Sequence, residues 1–161
     1  MILNIVILAF VTLQRLGELW LSNRNTKRLL ASGAHEVAPG HYPLIVAVHV
    51  LWLAALWWLA PWQRLRPLWL VLFVLLQIGR LWVVRTLGER WTTRIIVLPR
   101  TALVRRGPYR WTDHPNYWIV VGEIAALPLA FGLSSVALIF SILNAAVLAI
   151  RIREENRALR P

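Results

Sequence analysis

The sequence predicts an all-α, polytopic membrane protein with about five transmembrane helices. Hydrophobic residues make up 58% of its 161 residues, the mean hydropathy is +0.59, and only short polar stretches separate the apolar runs. Helical runs of roughly 17 to 20 apolar residues match a hydrocarbon core about 30 Å thick. We therefore expect one integral membrane domain over residues 1–161, with three spans in residues 1–87 and a second half in residues 88–161.

Five apolar segments are expected to cross the bilayer, at about residues 2–20, 43–60, 68–87, 116–132 and 135–150. The first lacks a basic amino-terminal region and a small-residue cleavage site, so we interpret it as a retained span and not a signal peptide. The last two are expected to form a hairpin, because the uncharged turn at residues 131–135 contains glycine and serine. Both are short enough to require tilt or local thinning of the bilayer.

Basic residues between the segments predict the orientation, because loops rich in lysine and arginine stay in the cytoplasm. Only Arg64 and Arg66 follow the second segment. Basic residues are more numerous elsewhere: Arg24, Lys27 and Arg28 follow the first segment, and Arg90, Arg94, Arg100, Arg105, Arg106 and Arg110 follow the third. The C-terminal tail contains Arg151, Arg153, Arg157 and Arg160. An odd number of spans then places the N-terminus outside and the C-terminus inside.

The formal charge of +11 would suggest nucleic acid as the partner of a soluble protein. Here all but one of the 18 basic residues are arginine, and most lie beside apolar runs, where such residues face anionic headgroups. No recognised nucleic-acid-binding signature accompanies the charge, so nucleic acid is not expected as a partner. The chain has no cysteine, which excludes disulfides, thiolate nucleophiles and cysteine zinc sites.

Residues 88–115 are not expected to span the membrane, because they are rich in arginine and threonine and contain Pro99 and Pro108. The segment still holds the apolar run 95–98, which argues against disorder and favours an interfacial, functional role. At its end, Pro115 suits the first position of the fourth helix and places His114 at the N-cap. A histidine that merely ends a loop fits the same pattern.

Asn144, Arg151 and Glu155 are spaced to share one face of the last helix. At about 100° per residue they fall within about 40° of one another, whereas Glu154 lies about 60° from Arg151. An ordinary ion pair at the helix end is the alternative. Arginine before glutamate is the less favourable order for such a pair, so stability alone explains the stripe poorly.

Ionisable residues also occur inside the predicted spans, at Arg15, Glu18, Arg80 and Glu123. A charge at this depth costs about 2.5 kcal/mol or more on insertion scales, so each should face the bundle interior and be paired. Arg15 and Glu18 have the spacing of a pair within one helix. Glu123 lies about 10 Å deeper than Asn116 on the same helical face, and it either pairs with Arg80 or lines a substrate cavity.

Two sets of motifs together cover nearly the whole chain. The C-terminal set is Leu103-Val104, Gly107-Pro108-Tyr109, His114-Pro115-Asn116-Tyr117 and Arg151-Ile152-Arg153-Glu154-Glu155-Asn156. This set resembles the catalytic half of the isoprenylcysteine carboxyl methyltransferase (ICMT) family and its prokaryotic relatives. The N-terminal set resembles the short bacterial branch often encoded beside type III polyketide synthases: Arg15-Leu16-Gly17-Glu18-Leu19, Asn23-Arg24-Asn25, Gly33-Ala34-His35-Glu36 and His41-Tyr42-Pro43.

The resemblance implies that residues 88–161 form the catalytic half and bind S-adenosylmethionine on the cytoplasmic side. It assigns the cofactor to Thr101, Ala102, Leu103, Val104, Tyr109, His114, Pro115, Asn116, Tyr117 and Glu155. It implies that Arg151 lies on the substrate side and orients the acceptor. A phenol or hydroxypyrone acceptor would need deprotonation, for which His114 and Glu123 are the catalytic candidates. The family usually has arginine before the histidine, where this chain has Asp113. Arg106 or Arg110 is the candidate replacement for binding the cofactor carboxylate.

The implied function is S-adenosylmethionine-dependent methylation of a lipophilic, membrane-partitioned acceptor at the inner membrane of a bacterium. O-methylation of a long-chain phenol or pyrone lipid is favoured, followed by carboxyl methylation of an isoprenylcysteine-like substrate and then by phospholipid N-methylation. The chain has no G-x-G-x-x-G motif or strand pattern, so a Rossmann-type methyltransferase is not supported. No metal is expected, because the methyl donor is already electrophilic. A non-catalytic membrane subunit or small transporter is the alternative from another class.

Overall fold

Five long helices make up most of the protein in a computed structural model that describes residues 1–99 and 101–159. They are α1 (Ile2–Ala31), α2 (Tyr42–Leu59), α3 (Pro67–Leu87), α4 (Pro115–Ala130) and α5 (Ser134–Leu159). The prediction of an all-α polytopic membrane protein is confirmed. Side-chain contacts bring the C-terminal parts of α1, α3 and α5 together with the first turns of α2 and α4, at what we call the site end of the bundle.

Four helices in the described part of the chain are long and apolar enough to cross a membrane: α1, α2, α3 with the turn that follows it, and α5. With 16 residues, α4 is about 24 Å long and falls short of a hydrocarbon core of about 30 Å. It suits an enclosed position, because Ile124, Ala126, Leu127 and Ala130 are almost fully buried. The expectation that the last span is also short is wrong, because α5 has 26 residues.

Both α1 and α5 continue past the apolar segments that predicted them, to Ala31 and Leu159. The polar extension of α1 is held by tertiary hydrogen bonds. Ser22 Oγ lies 2.7 Å from Thr93 Oγ1, and Asn25 Nδ2 donates to the Trp91 carbonyl at 2.8 Å. A helix therefore need not end where its apolar run ends when polar side chains beyond that point have partners. Arg100 and Arg160, which were counted for the orientation, lie outside the described residues.

Trp52 completes the hydrogen bonding of α4 at a proline. Pro128 lies inside α4 and has no N–H to donate to the carbonyl of Ile124, one turn earlier. The indole Nε1 of Trp52, on α2, donates to that carbonyl at 3.2 Å. The buried carbonyl thus keeps a partner in an interior where an unsatisfied polar group is costly.

Trp52→Phe is expected to lower the free energy of unfolding by about 1 to 3 kcal/mol, because it leaves the Ile124 carbonyl without a donor. Unfolding of the detergent-purified protein in SDS measures the change. Trp58→Phe is the matched control, because Trp58 lies on the same helix and is 84% exposed. Equal losses for the two variants would contradict this role of Trp52.

A small sheet at the site end was not expected from the sequence. Strand β1 (His35–Glu36) pairs antiparallel with strand β2 (Ile96–Val97), which lies within the interfacial segment. Two-residue strands leave no periodic pattern in a sequence. The other described residues of that segment agree with the expectation: they form no long helix, they turn at Gly107 with a φ of 57°, and they lead to α4 with His114 at the N-cap.

Candidate active site

Two neighbouring cavities lie at the site end. The interhelical cavity, of about 210 Å³, lies among the helices and is lined mostly by apolar side chains. The polar cleft lies between the interfacial segment, the start of α4 and the end of α5, and its lining includes Arg90, Arg94, Tyr109, Asp113, His114 and Glu155. Five residues line both and form what we call the shared wall: Trp91, Thr92, Asn116, Tyr117 and Arg151.

Arg151 is held in the shared wall by two hydrogen bonds. Its Nε donates to the Tyr117 hydroxyl at 2.7 Å, and its Nη1 donates to the Thr93 carbonyl at 2.5 Å. The Tyr117 hydroxyl in turn donates to the carboxylate of Glu155. As the helical spacing predicts, Asn144 and Arg151 line the same cavity on one face of α5, whereas Glu154 pairs with Arg157 at 2.9 Å.

Residues from the start of α4 also face this junction. The ring of His114 stacks on that of Tyr117 with centroids 5.0 Å apart, and its Nδ1 lies 3.8 Å from Glu155 Oε2. Asn116 Oδ1 is buried and has no partner among residues 1–99 and 101–159. Burial, together with the neighbouring Glu155 carboxylate, raises the pKa of Tyr109, so its phenol stays neutral. The structure thus brings four residues that the sequence predicted into the polar cleft with Glu155: Tyr109, His114, Asn116 and Tyr117.

Not all the predicted cofactor residues reach the cleft. Pro115 is buried in the first turn of α4. Residues 101–104 are not among the described residues that line either cavity, and Leu103 is 53% exposed. The segment is connected to the cleft through Arg90, whose Nη1 donates to the Ala102 carbonyl at 2.9 Å. Direct contact of Thr101, Ala102, Leu103 and Val104 with a cofactor stays a prediction.

The guanidinium groups of the polar cleft differ from those that the sequence suggested. Arg106 donates to the Thr86 carbonyl at 3.3 Å, and Arg110 lies 4.3 Å from the ring centroid of the exposed Trp111. Within the described part of the chain, Arg90, Arg94 and Arg151 line the cleft instead.

Arg94 is fixed in place by residues from the N-terminal half. It binds both oxygens of Glu36, at 2.9 and 3.0 Å, and lies 4.4 Å from the ring centroid of Tyr42. Glu36 belongs to β1, which pairs with β2. No sequence pattern indicates this role of Arg94, since it depends on a strand pair too short to be recognised.

A network of four charged residues lies deeper among the helices, and we call it the buried ion network. Arg15 binds Glu18 at 2.8 Å and Glu123 at 2.7 Å, and Arg80 binds Glu123 through two nitrogens and Glu18 at 3.3 Å. The positive charges of the two arginines balance the negative charges of the two glutamates, which satisfies the requirement that charges at this depth be paired.

Within this network, Glu123 is the member that lies away from the cavity surface. Its side chain is fully buried, and Arg15, Arg80 and Gln77 bind its two oxygens. Arg15, Glu18 and Arg80 line the interhelical cavity, whereas Glu123 is not among the described residues that do. The geometry therefore favours ion pairing, one of the two alternatives left by the sequence, over a role for Glu123 as a base.

The residues that line the polar cleft lie in a part of the chain that matches a known protein family. The model of the isoprenylcysteine carboxyl methyltransferase (ICMT) family matches residues 69–161. Among curated proteins, the chain is 33% identical over 168 aligned residues to the uncharacterized protein YpbQ of Bacillus subtilis, covering 96% of this chain and 95% of that protein. It is 27% identical over 151 residues to an uncharacterized protein of Haemophilus influenzae, covering 90% and 88% of the two chains. No solved structure matches the chain significantly.

Proposed function

The chain belongs to the isoprenylcysteine carboxyl methyltransferase family, and from this premise we propose that it transfers a methyl group from S-adenosylmethionine to a lipophilic acceptor taken from the membrane. One observation carries the proposal: the polar cleft and the apolar interhelical cavity share a wall that contains Tyr117 and Arg151. A polar donor and a membrane lipid could therefore meet from opposite sides, which is the positioning that methyl transfer requires.

The residues of the polar cleft fit S-adenosylmethionine. The buried Asn116 Oδ1 has no partner in the described structure and needs a donor from a ligand. The Glu155 carboxylate can accept hydrogen bonds from the ribose hydroxyls or the ammonium group, and Arg90 and Arg94 supply cations for the carboxylate. When bound, the cofactor supplies a methyl group on a sulfonium that is already electrophilic. The contribution of the chain is then to orient the reactants and exclude water.

We favour a long-chain phenol or pyrone lipid as the acceptor, methylated on oxygen. The N-terminal half resembles the branch linked to polyketide synthases, and the interhelical cavity offers an apolar lining that includes Leu16, Val46 and Val147. Arg151 lines this cavity, and its remaining N–H donors support a role in orienting the acceptor oxygen. His114 is the candidate base for a phenol or hydroxypyrone, whereas the carboxylate of an isoprenylcysteine-like substrate would need no base.

The proposed location is the inner membrane of a bacterium, with the site end facing the cytoplasm. At this end, Arg24 and Arg28 lie in the C-terminal part of α1, and Arg90 and Arg94 follow α3. Such a concentration of arginine is typical of the cytoplasmic side. Membrane lipids are then the surrounding partners, and the acceptor enters from among them.

Equilibrium binding and methyl transfer together test the function. We expect detergent-purified protein to bind S-adenosylmethionine saturably and to transfer a labelled methyl group to a long-chain alkylresorcinol or alkylpyrone more rapidly than to farnesylcysteine. Faster transfer to farnesylcysteine would support carboxyl methylation instead. If the protein showed no saturable binding, it would be a non-catalytic subunit or transporter.

A further inference from the structure

The inner end of the interhelical cavity is polar, although the rest of its lining is mostly apolar. Arg15, Glu18 and Arg80 of the buried ion network face it, together with His49 of α2. Arg15 precedes Ser22, at the site end of α1, by seven residues, or about 10 Å along the helix. This polar surface therefore lies deeper in the bundle than the shared wall.

Two groups at this inner end retain unused hydrogen-bonding capacity. The two terminal nitrogens of Arg15 bind Glu18 and Glu123, whereas its Nε is buried and has no partner in the described part of the chain. His49 Nδ1 lies 2.8 Å from the Ile45 carbonyl, which can only accept. A neutral His49 therefore donates from Nδ1, and its Nε2 is left as an acceptor.

A hydroxyl group matches this pair better than other ligand groups do. Its oxygen can accept from Arg15 Nε, and its proton can be donated to His49 Nε2. An alkyl chain would satisfy neither group, and the buried Arg15 Nε would stay without a partner. An anion would add an unpaired charge next to a network that is already neutral, which is costly in an apolar interior.

We propose that the inner end of the interhelical cavity is a second recognition point for the acceptor, where Arg15 Nε and His49 Nε2 bind a neutral hydroxyl group. The proposal rests on the proposed function, because the ligand is taken to be the methyl acceptor. The acceptor is then a lipid with at least two oxygen functions on its polar part, one at the shared wall and one deeper.

Two probes that differ by one hydroxyl group test this site: 5-pentadecylresorcinol and 3-pentadecylphenol. Their chains are equal, so their partition into detergent is similar. Binding is followed by quenching of tryptophan fluorescence, since Trp52 and Trp91 line the cavity. We expect the wild type to bind the resorcinol about tenfold more tightly, the effect of about 1.4 kcal/mol from one buried hydroxyl with both partners.

His49→Phe is expected to reduce this preference to about twofold or less, because it removes the acceptor while keeping an aromatic ring. His49→Gln keeps an acceptor oxygen and should retain most of the preference. The affinity for S-adenosylmethionine, measured on the same samples, should be unchanged in both variants and shows that they are folded.

Equal binding of the two probes by the wild type would overturn the inference, and so would an undiminished preference in His49→Phe. The result is separable from the proposed function. A preference that depends on His49 without any methyl transfer would contradict the function and leave this site standing. Methyl transfer to both probes without any difference in affinity would contradict this site and leave the proposed function standing.

Discussion

Glu155→Ala is expected to weaken S-adenosylmethionine binding by on the order of 100-fold while leaving the helical fold intact. The Glu155 carboxylate lines the polar cleft and accepts a hydrogen bond from the Tyr117 hydroxyl. Its Oε2 lies 3.8 Å from His114 Nδ1. Hydrogen bonds to a charged group contribute about 1.5 to 3 kcal/mol each, and about 1.4 kcal/mol is tenfold in affinity. Losing two of them to the cofactor accounts for the expected effect. Isothermal titration measures it, and circular dichroism checks the fold.

Glu154→Ala is the matched control on the same helix. Glu154 pairs with Arg157, whose side chain is 75% exposed, so within the described residues this variant loses an exposed ion pair. Such pairs contribute about 0 to 1 kcal/mol to stability, and cofactor affinity should change by about twofold or less. Comparable losses of affinity in the two variants would show that the wrong face of α5 has been assigned to the cofactor.

The five helices could be predicted from the sequence because each contains a long apolar run. Their ends could not be predicted equally well. The apolar run of α1 ends near Trp20, yet the helix continues to Ala31, because Ser22 and Asn25 find partners in the interfacial segment. Such partners are distant in the chain and leave no local signal. The division of the chain into three N-terminal spans and a catalytic half stays a prediction.

The candidate site was only partly accessible from the sequence. Helical spacing placed Asn144, Arg151 and Glu155 on one face, and the proline after His114 marked the start of α4. The positions of Arg90 and Arg94 could not be foreseen, because they depend on an irregular segment and on the pairing of β1 with β2. For Glu123 the sequence left two roles open, and only the contacts with Arg15 and Arg80 favour one of them.

Arg151→Ala is expected to lower kcat/KM by on the order of 100-fold while changing S-adenosylmethionine affinity only a few-fold. Arg151 is buried in the shared wall and faces the interhelical cavity, where we propose that it orients the acceptor. Losing charge-assisted bonds of about 1.5 to 3 kcal/mol each accounts for the slower transfer. The bond between Tyr117 and Glu155 does not involve Arg151, so the cofactor side should largely persist.

Two further variants serve as comparisons for Arg151→Ala. Arg153→Ala is the matched control, because Arg153 lies on the same helix and is exposed. It should leave both affinity and kcat/KM nearly unchanged. His114→Ala should instead weaken cofactor binding, since His114 stacks on Tyr117 beside Glu155 within the polar cleft.

We propose that the donor and the acceptor meet at the shared wall, next to Tyr117 and Arg151. Titration of S-adenosylmethionine into Arg151→Ala, with the methyl-transfer rate measured on the same preparation, tests it most directly. We expect Arg151→Ala to retain cofactor binding and to lose methyl transfer. Loss of cofactor binding as complete as in His114→Ala would contradict it, and would place Arg151 in the cofactor site rather than between the two ligands.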